Sequence, residues 1–417
     1  MLASAPPEGA APHPPRTARP HPLPRIATGP VLPAPDRTAK FWDEVARTGT
    51  PLVAPDPEGD PDHAAVTFLW RGTPATRAVQ VLPNKLTDPR DPGANLMEHL
   101  PGTDVWHWTL RLRRDWYGTY DFRVDEGDGP APDDDGYPAR LRTRGHPDPF
   151  NSHTLPGRWG GPGVSCARLP GAPRDTEWEV RPGVARGTVT THDVPSARLG
   201  GARRVRLYRP PHTAPDAELP VLVLLDGEHW QPRLGLAHLL DNLIADGRIP
   251  PVAALLPESV DAATRWRELT CRPEFVAFLT EELLPWAAGH LPLTADPART
   301  VIAGQSLGGL TAAYAALTAP HRFGNVLAQS GSFWWPVGPD AEWLTARLAA
   351  APRLPVRFRL SSGEQEWVAL PAARRLRDAL TTAGYDDATY REFNGGHDYL
   401  CWRSELGGGI VELLGEG

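Results

Sequence analysis

The 417-residue chain reads as an α/β protein with a mostly parallel sheet, preceded by a small antiparallel β-sandwich domain. Three patterns predict this. From about Arg37 to Val124, apolar and polar residues alternate with period two, as strands with one buried face do. From about Gly187, short and nearly continuous apolar runs are separated by helical spacing, as strands covered by helices on both faces require. Between these regions lies a stretch dense in Pro, Gly and Asp that keeps neither period.

Residues 1–36 are rich in Pro and Ala and hold no uninterrupted apolar run of the length a signal peptide needs, so they predict a disordered tail. Residues 37–150 predict the sandwich. Val66, Phe68 and Trp70 share one strand face, Trp106, Trp108, Leu110 and Leu112 another, and Tyr120, Phe122 and Val124 a third. Only FWDEVARTG, from Phe41, has helical spacing there. Residues 151–186 predict a linker, and residues 187–417 the α/β domain. In that domain RRVRLY, LPVLVLLDG, PVAALLP, RTVIAGQS, FGNVLAQSGS and LPVRFRLSSG are expected strands, followed by Thr389 to Phe393. No repeat of fixed period runs through the chain.

Composition narrows the function. Acidic residues outnumber basic ones 50 to 43, which leaves no broad cationic field for a nucleic acid backbone. Lys40 and Lys85 are the only lysines, an arginine bias that compositional drift explains, although guanidinium forks also suit oxyanions. Cys166, Cys271 and Cys401 have no CxxC spacing, so neither a zinc site nor a disulfide framework is expected. No segment approaches the roughly 20 apolar residues of a membrane span, since the best candidate near Val276 is broken by Glu281 and Glu282. The expectation is a soluble, cytoplasmic protein without nucleic acid or membrane partners and without a cofactor of its own. Nothing in the sequence indicates an oligomeric state.

The chemistry concentrates around Gly304-Gln305-Ser306-Leu307-Gly308-Gly309. An apolar run, Val301 to Ala303, precedes it and the Ala-rich helical pattern TAAYAALTAP follows. Strand, tight turn and helix are the context that makes GxSxG a nucleophile elbow, in which a strained serine backbone lifts the hydroxyl above the sheet. A serine hydroxyl needs a base, and the base needs an acid to orient it, in the chain order nucleophile, acid, histidine. His397 follows the last expected strand in the glycine-rich loop FNGGHDY and fits the base. His321, at the end of the elbow helix, fits a capping role better. The acid is expected in SSGEQEW, where spacing barely separates Glu364 from Glu366; Glu366 is favoured, with Glu364 the alternative. Asp398 is set aside because it adjoins His397. An oxyanion hole would draw one N–H from Leu307 and another from the turn Asp226-Gly227-Glu228, where Gly227 permits close approach.

These motifs resemble a known family. GQSLGG, QSGSFWW at Gln329 to Trp335, LLDGEHW, RWRELTCRPEF and YREFNGGHDYLCWR at Tyr390 to Arg403 are similar to the enterochelin (ferric enterobactin) esterases, and the Trp-rich strands with FLWRG and PGTDVWHWT resemble that family's N-terminal domain. The resemblance covers about residues 37–417. It implies an α/β-hydrolase fold and a cytoplasmic serine esterase that opens the triserine trilactone of a catecholate siderophore for iron release, with iron arriving only inside the substrate. Ser306 and His397 carry over to the family's nucleophile and base, and the spacing from Gly363 to Glu366 matches the family's acid. Arg265 matches an arginine near the substrate cleft. A ferric tris-catecholate is a bulky aromatic trianion, so arginines and flat aromatic surfaces should receive it, with Trp334 and Trp335 as candidates. The same triad would also serve feruloyl, acetyl or other carboxylic esters, or acyl transfer. A noncatalytic binding protein is disfavoured by Ser306, an acid and His397 standing in working order.

Overall fold

The computed structural model describes residues 14–15, 17–27, 32–88, 91–127, 145–213 and 217–415. It forms two compact units. Among the described residues, one comprises those of 18–173 and 394–401, and the other those of 14–17, 174–393 and 402–415.

The first unit is the antiparallel one. Helix α1 (Thr38–Thr48) precedes strands β1 (Leu52–Pro55), β2 (His63–Arg71), β3 (Ala78–Val81), β4 (Glu98–His99), β5 (Val105–Arg113), β6 (Tyr117–Tyr120), β7 (Phe122–Asp125), β8 (Thr154–Leu155) and β9 (Val164–Arg168). They make a four-stranded sheet in the order β1-β2-β5-β4, a three-stranded sheet β6-β9-β8 and the pair β3-β7. The predicted alternation is visible in the core, where Val66, Phe68, Trp108, Leu110, Tyr120 and Phe122 pack together. The opposite face of β2 and β5 is buried too, because α1 lays Trp42 and Val45 on Leu69 and Val105. Strand β2 is therefore less clearly amphipathic than a half-solvated strand would be.

Two boundary expectations change here. Residues 1–13 of the expected tail lie outside the described residues, but residues 24–26 do not hang free: Ile26 N–H donates to Thr109 O at 3.1 Å and Arg111 N–H to Pro24 O at 2.7 Å. Strand β4 covers only His107 and Trp106 of β5, and this segment pairs with the edge left open beyond them. The expected linker is also divided. β8 and β9 belong to the three-stranded sheet, whereas residues from Arg174 onward belong to the second unit, where Trp178 donates to Arg403 O at 3.1 Å and Asn242 donates to both Glu177 O and Glu179 O. The most Asp- and Pro-rich stretch, residues 128–144, lies outside the described residues.

The second unit holds one eight-stranded sheet. Its strands are β10 (Thr188–Val194), β11 (Arg203–Arg209), β12 (Val221–Leu224), β13 (Ala253–Pro257), β14 (Thr300–Gln305), β15 (Asn325–Gln329), β16 (Arg357–Gly363) and β17 (Thr389–Phe393), in the order β10-β11-β13-β12-β14-β15-β16-β17. β10, β11 and β13 pair antiparallel, and every neighbour from β13 to β17 is parallel. Crossover helices include α2 (Leu236–Ala245), α3 (Ala262–Glu268), α4 (Pro273–Ala277), α5 (Leu284–Ala288), α6 (Leu307–Thr318), α7 (Trp343–Ala350) and α8 (Ala369–Thr382), and α9 (Tyr399–Leu414) closes the chain. All residues of β12, β13, β14 and β15 are buried, which is why these strands read as continuous apolar runs. The carboxyl ends of the parallel strands, where loops meet helices, are the usual place for a site.

Candidate active site

Ser306 stands between β14 and α6 with φ +58° and ψ −119°, a conformation a residue with a Cβ rarely adopts. The turn closes because Gly304 lacks a side chain: a Cβ there would fall 2.4 Å from the carbonyl carbon of Gly308. Gly308 contributes its backbone to that contact and would itself tolerate a Cβ. Ser306 N–H donates to Gln329 O at 3.1 Å, Ser332 N–H donates to Ser306 O at 2.9 Å, and the two hydroxyls of Ser306 and Ser332 lie 3.3 Å apart. The nucleophile candidate is thus pinned to the turn that follows β15.

Leu307 opens α6, so its N–H is among the first four that a helix leaves without an intrahelical acceptor. Gly227 lies in the turn after β12, where a Cβ would come 2.3 Å from Leu256 O. Asp226 before it has φ +64° and a fully buried carboxylate. That charge requires a partner, and Arg265 supplies it with a two-pronged ion pair, Nε and Nη2 lying 2.9 and 2.8 Å from the two oxygens. Ser259 Oγ adds a bond of 2.7 Å. Arg265 Nη2 also donates to Gln305 O at 3.1 Å, tying the Gly227 turn to the residue before Ser306. This guanidinium is 12% exposed and holds these two backbone turns in place. Glu268 pairs with Arg203.

Glu366 and Glu364 separate by burial. Glu364 is partly exposed and its N–H donates to Phe393 O at 2.8 Å. Glu366 is 2% exposed, and its Oε1 accepts from Gly363 N–H at 2.8 Å and from Ser330 Oγ at 2.5 Å. Ser330 has φ +48° and in turn accepts from Trp402 Nε1 at 2.8 Å. The chain of bonds continues under the elbow: Trp402 O accepts from Gln329 Nε2, Gln329 Oε1 from Gln305 Nε2, and Gln305 Oε1 from Trp230 Nε1, at 2.9, 2.8 and 2.9 Å. This buried network joins the residues before and beside Ser306 to the carboxylate of Glu366. Satisfied polar networks of this kind are rigid, because each unmade bond would leave a desolvated group. The sequence reading missed Gln305, Gln329 and Ser330 as parts of the site. Only their position in GQS and QSGS, each directly at a strand end, hinted at it.

The aromatic candidates fare differently. Trp335 is 1% exposed and set edge-on to Trp343, and Trp334 is buried at 6.5 Å from Trp266, so both serve the core rather than a receiving surface. The physical reason is that the rings of Phe333, Trp334 and Trp335 join the large apolar core of this unit, where their area is removed from water.

His397 belongs to the first unit, within residues 394–401. Its N–H donates to Asn84 Oδ1 at 2.8 Å and its carbonyl accepts from Asn84 Nδ2 at 3.3 Å. Asp398 does not act on its neighbour's ring by these bonds: Oδ2 accepts from Thr119 N–H and Oγ1 at 3.0 and 3.1 Å, and Oδ1 caps Cys401 N–H at 3.1 Å. In the same unit Trp159 is 46% exposed, with the Arg158 guanidinium 4.6 Å over its ring and 6.0 Å over that of Tyr399, two residues beyond His397. Among the described residues no group of three or more His, Cys, Asp or Glu could hold a metal, and no helix is long and apolar enough to cross a membrane.

A strained serine between a parallel strand and a helix, with an acid beyond the next-but-one strand, defines an esterase of the α/β-hydrolase class. The Esterase family model matches residues 196–413, and that of the enterochelin esterase N-terminal domain matches residues 65–178. The chain is 36% identical to the iron(III) enterobactin esterase of Dickeya dadantii, over 90% of this chain and 92% of that one. It is 34% identical to the iron(III) salmochelin esterase of Escherichia coli O6:H1, over 90% and 93%. The ferric enterobactin esterase of Salmonella typhimurium superposes with a TM-score of 0.78 at 32% identity, covering 90% of this chain and 98% of that one. The chain belongs to the enterochelin esterase family.

Proposed function

We propose that this esterase hydrolyses the backbone esters of a ferric catecholate trilactone, with Ser306 as nucleophile, His397 as general base and acid, and Glu366 as the orienting carboxylate. The observation that carries the reading is the elbow at Ser306, bonded into a network that ends on Glu366. Ser306 Oγ attacks an ester carbonyl while His397 takes its proton. The oxyanion develops toward the N–H groups of Leu307 and Gly227, which need no reorganisation as charge grows. The carbon–oxygen bond to the leaving serine breaks as His397 returns the proton to that alkoxide. Water then attacks the acyl-enzyme, gives its proton to His397, and releases a carboxylate and free Ser306.

The substrate assignment is supported by two relatives of comparable length that act on iron(III) enterobactin and salmochelin. A Shigella flexneri enterobactin esterase crystallised in the presence of enterobactin covers 85% of this chain at a TM-score of 0.73 and 32% identity. With Trp334 and Trp335 in the core, the Arg158–Trp159 pair takes their place as the cationic and aromatic surface for a catecholate arm. Cytoplasmic action accords with three cysteines that are all thiols.

The test is chromatography of products after incubating the protein, beside Ser306→Ala, with a cyclic catecholate trilactone in iron-loaded and iron-free forms. Linear catecholylserine fragments from the wild type alone are expected. Intact trilactone, with simple aryl esters still cleaved, would move the substrate to another carboxylic ester.

A further inference from the structure

We infer that Asn84, 313 residues from His397 in the chain, is a positioning residue for the general base. This rests on His397 acting as the base. The carboxamide of Asn84 brackets the His397 residue, accepting from its N–H at 2.8 Å and donating to its carbonyl at 3.3 Å, so one planar group fixes both ends of the backbone that carries the imidazole. The approach depends on Gly396, where a Cβ would meet Asn84 O and Asn84 Oδ1 at 2.6 Å each. Asn84 is itself anchored, since its N–H donates to Thr119 O at 2.8 Å. Thr119 N–H and Oγ1 then both donate to Asp398, the residue after His397. Upstream, Tyr117 N–H donates to Asn394 O at 3.2 Å and Asn394 Nδ2 to Asp115 at 2.6 Å. Residues 394–398 are thereby bound to Asp115 just ahead of β6 and to Tyr117 and Thr119 within it, with Asn84 directly on the histidine.

A glycine-flanked loop has many conformations, and a base displaced by about 1 Å can lose a factor of about 100 in rate. Asn84 removes that freedom without touching the reacting atoms. Its loss should therefore lower kcat and leave KM in place.

The experiment compares wild type, Asn84→Ala, Gly396→Ala and the double variant as full-length proteins. It measures steady-state hydrolysis of a small aryl ester, the rate of covalent labelling by a fluorophosphonate, and thermal unfolding. Each single change should reduce both kcat and the labelling rate by about 10- to 100-fold, with KM within about threefold, and the double variant should be no slower than the slower single one, because both break the same contact. Wild-type kcat and labelling in Asn84→Ala would overturn the proposal, as would a loss confined to KM, multiplying losses in the double variant, or a loss that scales with a fall in Tm. Absence of labelling in the wild type would overturn the triad, and the role of Asn84 with it.

Discussion

The two units earn their order by opposite means. In the second unit the central strands β13, β12, β14 and β15 are wholly buried, and at the ends of β14, β15 and β16 the polar side chains of Gln305, Gln329, Ser330 and Glu366 are bonded into one network. In the first unit the strands are split among three small sheets, and long-range side-chain bonds to backbone hold the parts together, as Asn84 and Asp398 do. The contrast teaches where chemistry tolerates a loop. Ser306 and Glu366 sit at strand ends that cannot move without opening a buried network, whereas His397 sits on a glycine loop that must be held by residues remote in sequence.

The largest effect expected of this contrast lies in the buried network. Glu366→Gln should lower kcat for an aryl ester by about 10²- to 10⁴-fold, because in the proposed mechanism the carboxylate orients and stabilises the imidazolium, whereas Glu364→Gln should stay within about threefold. Steady-state kinetics on both variants decides it, and the reverse ranking would transfer the role to Glu364. An intermediate effect belongs to the first unit's exposed surface. Trp159→Ala should raise KM for the ferric trilactone about 3- to 10-fold with kcat little changed, since a cation–aromatic surface contributes about 0.5–2 kcal/mol. The same variant should hydrolyse a small aryl ester like the wild type; equal losses on both substrates would remove Trp159 from recognition.

The smallest effect should be on stability alone. Burial pushes the Asp121 carboxyl up to about 6, with Arg123 and His146 only partly opposing it. A raised folded-state value means that Asp121 supports folding while protonated and that this support is lost as pH rises from about 4 through 6. Asp121→Asn should accordingly raise Tm by about 2–6 °C at pH 7.5 and leave it unchanged near pH 4, with kcat unaffected. A Tm gain of equal size at both pH values would show that charge burial at this site is not the cause.

Much of this was open to a reader of the residues. The period-two strands around Phe68 and Trp108 matched the sandwich, and the apolar runs matched β11 to β16, because burial on one face or two imprints directly on local spacing. The strand–GQSLGG–helix pattern located the strained turn at Ser306 for the same reason, since glycine at 304 answers a local steric need. Partnership was not legible. Nothing in the spacing showed that Asp226 would be buried against Arg265, or that Trp335 would lie in the core. Asn84 carries no signal at all, being an ordinary turn residue whose partner lies near the other end of the chain. Spacing along the chain reports what a residue's neighbours in sequence demand of it. Which distant group satisfies a buried charge, or steadies a loop, depends on long-range pairing that local pattern does not encode, so the chain alone determined the fold class and the strained turn at Ser306 while folding selected the groups that hold that turn in place.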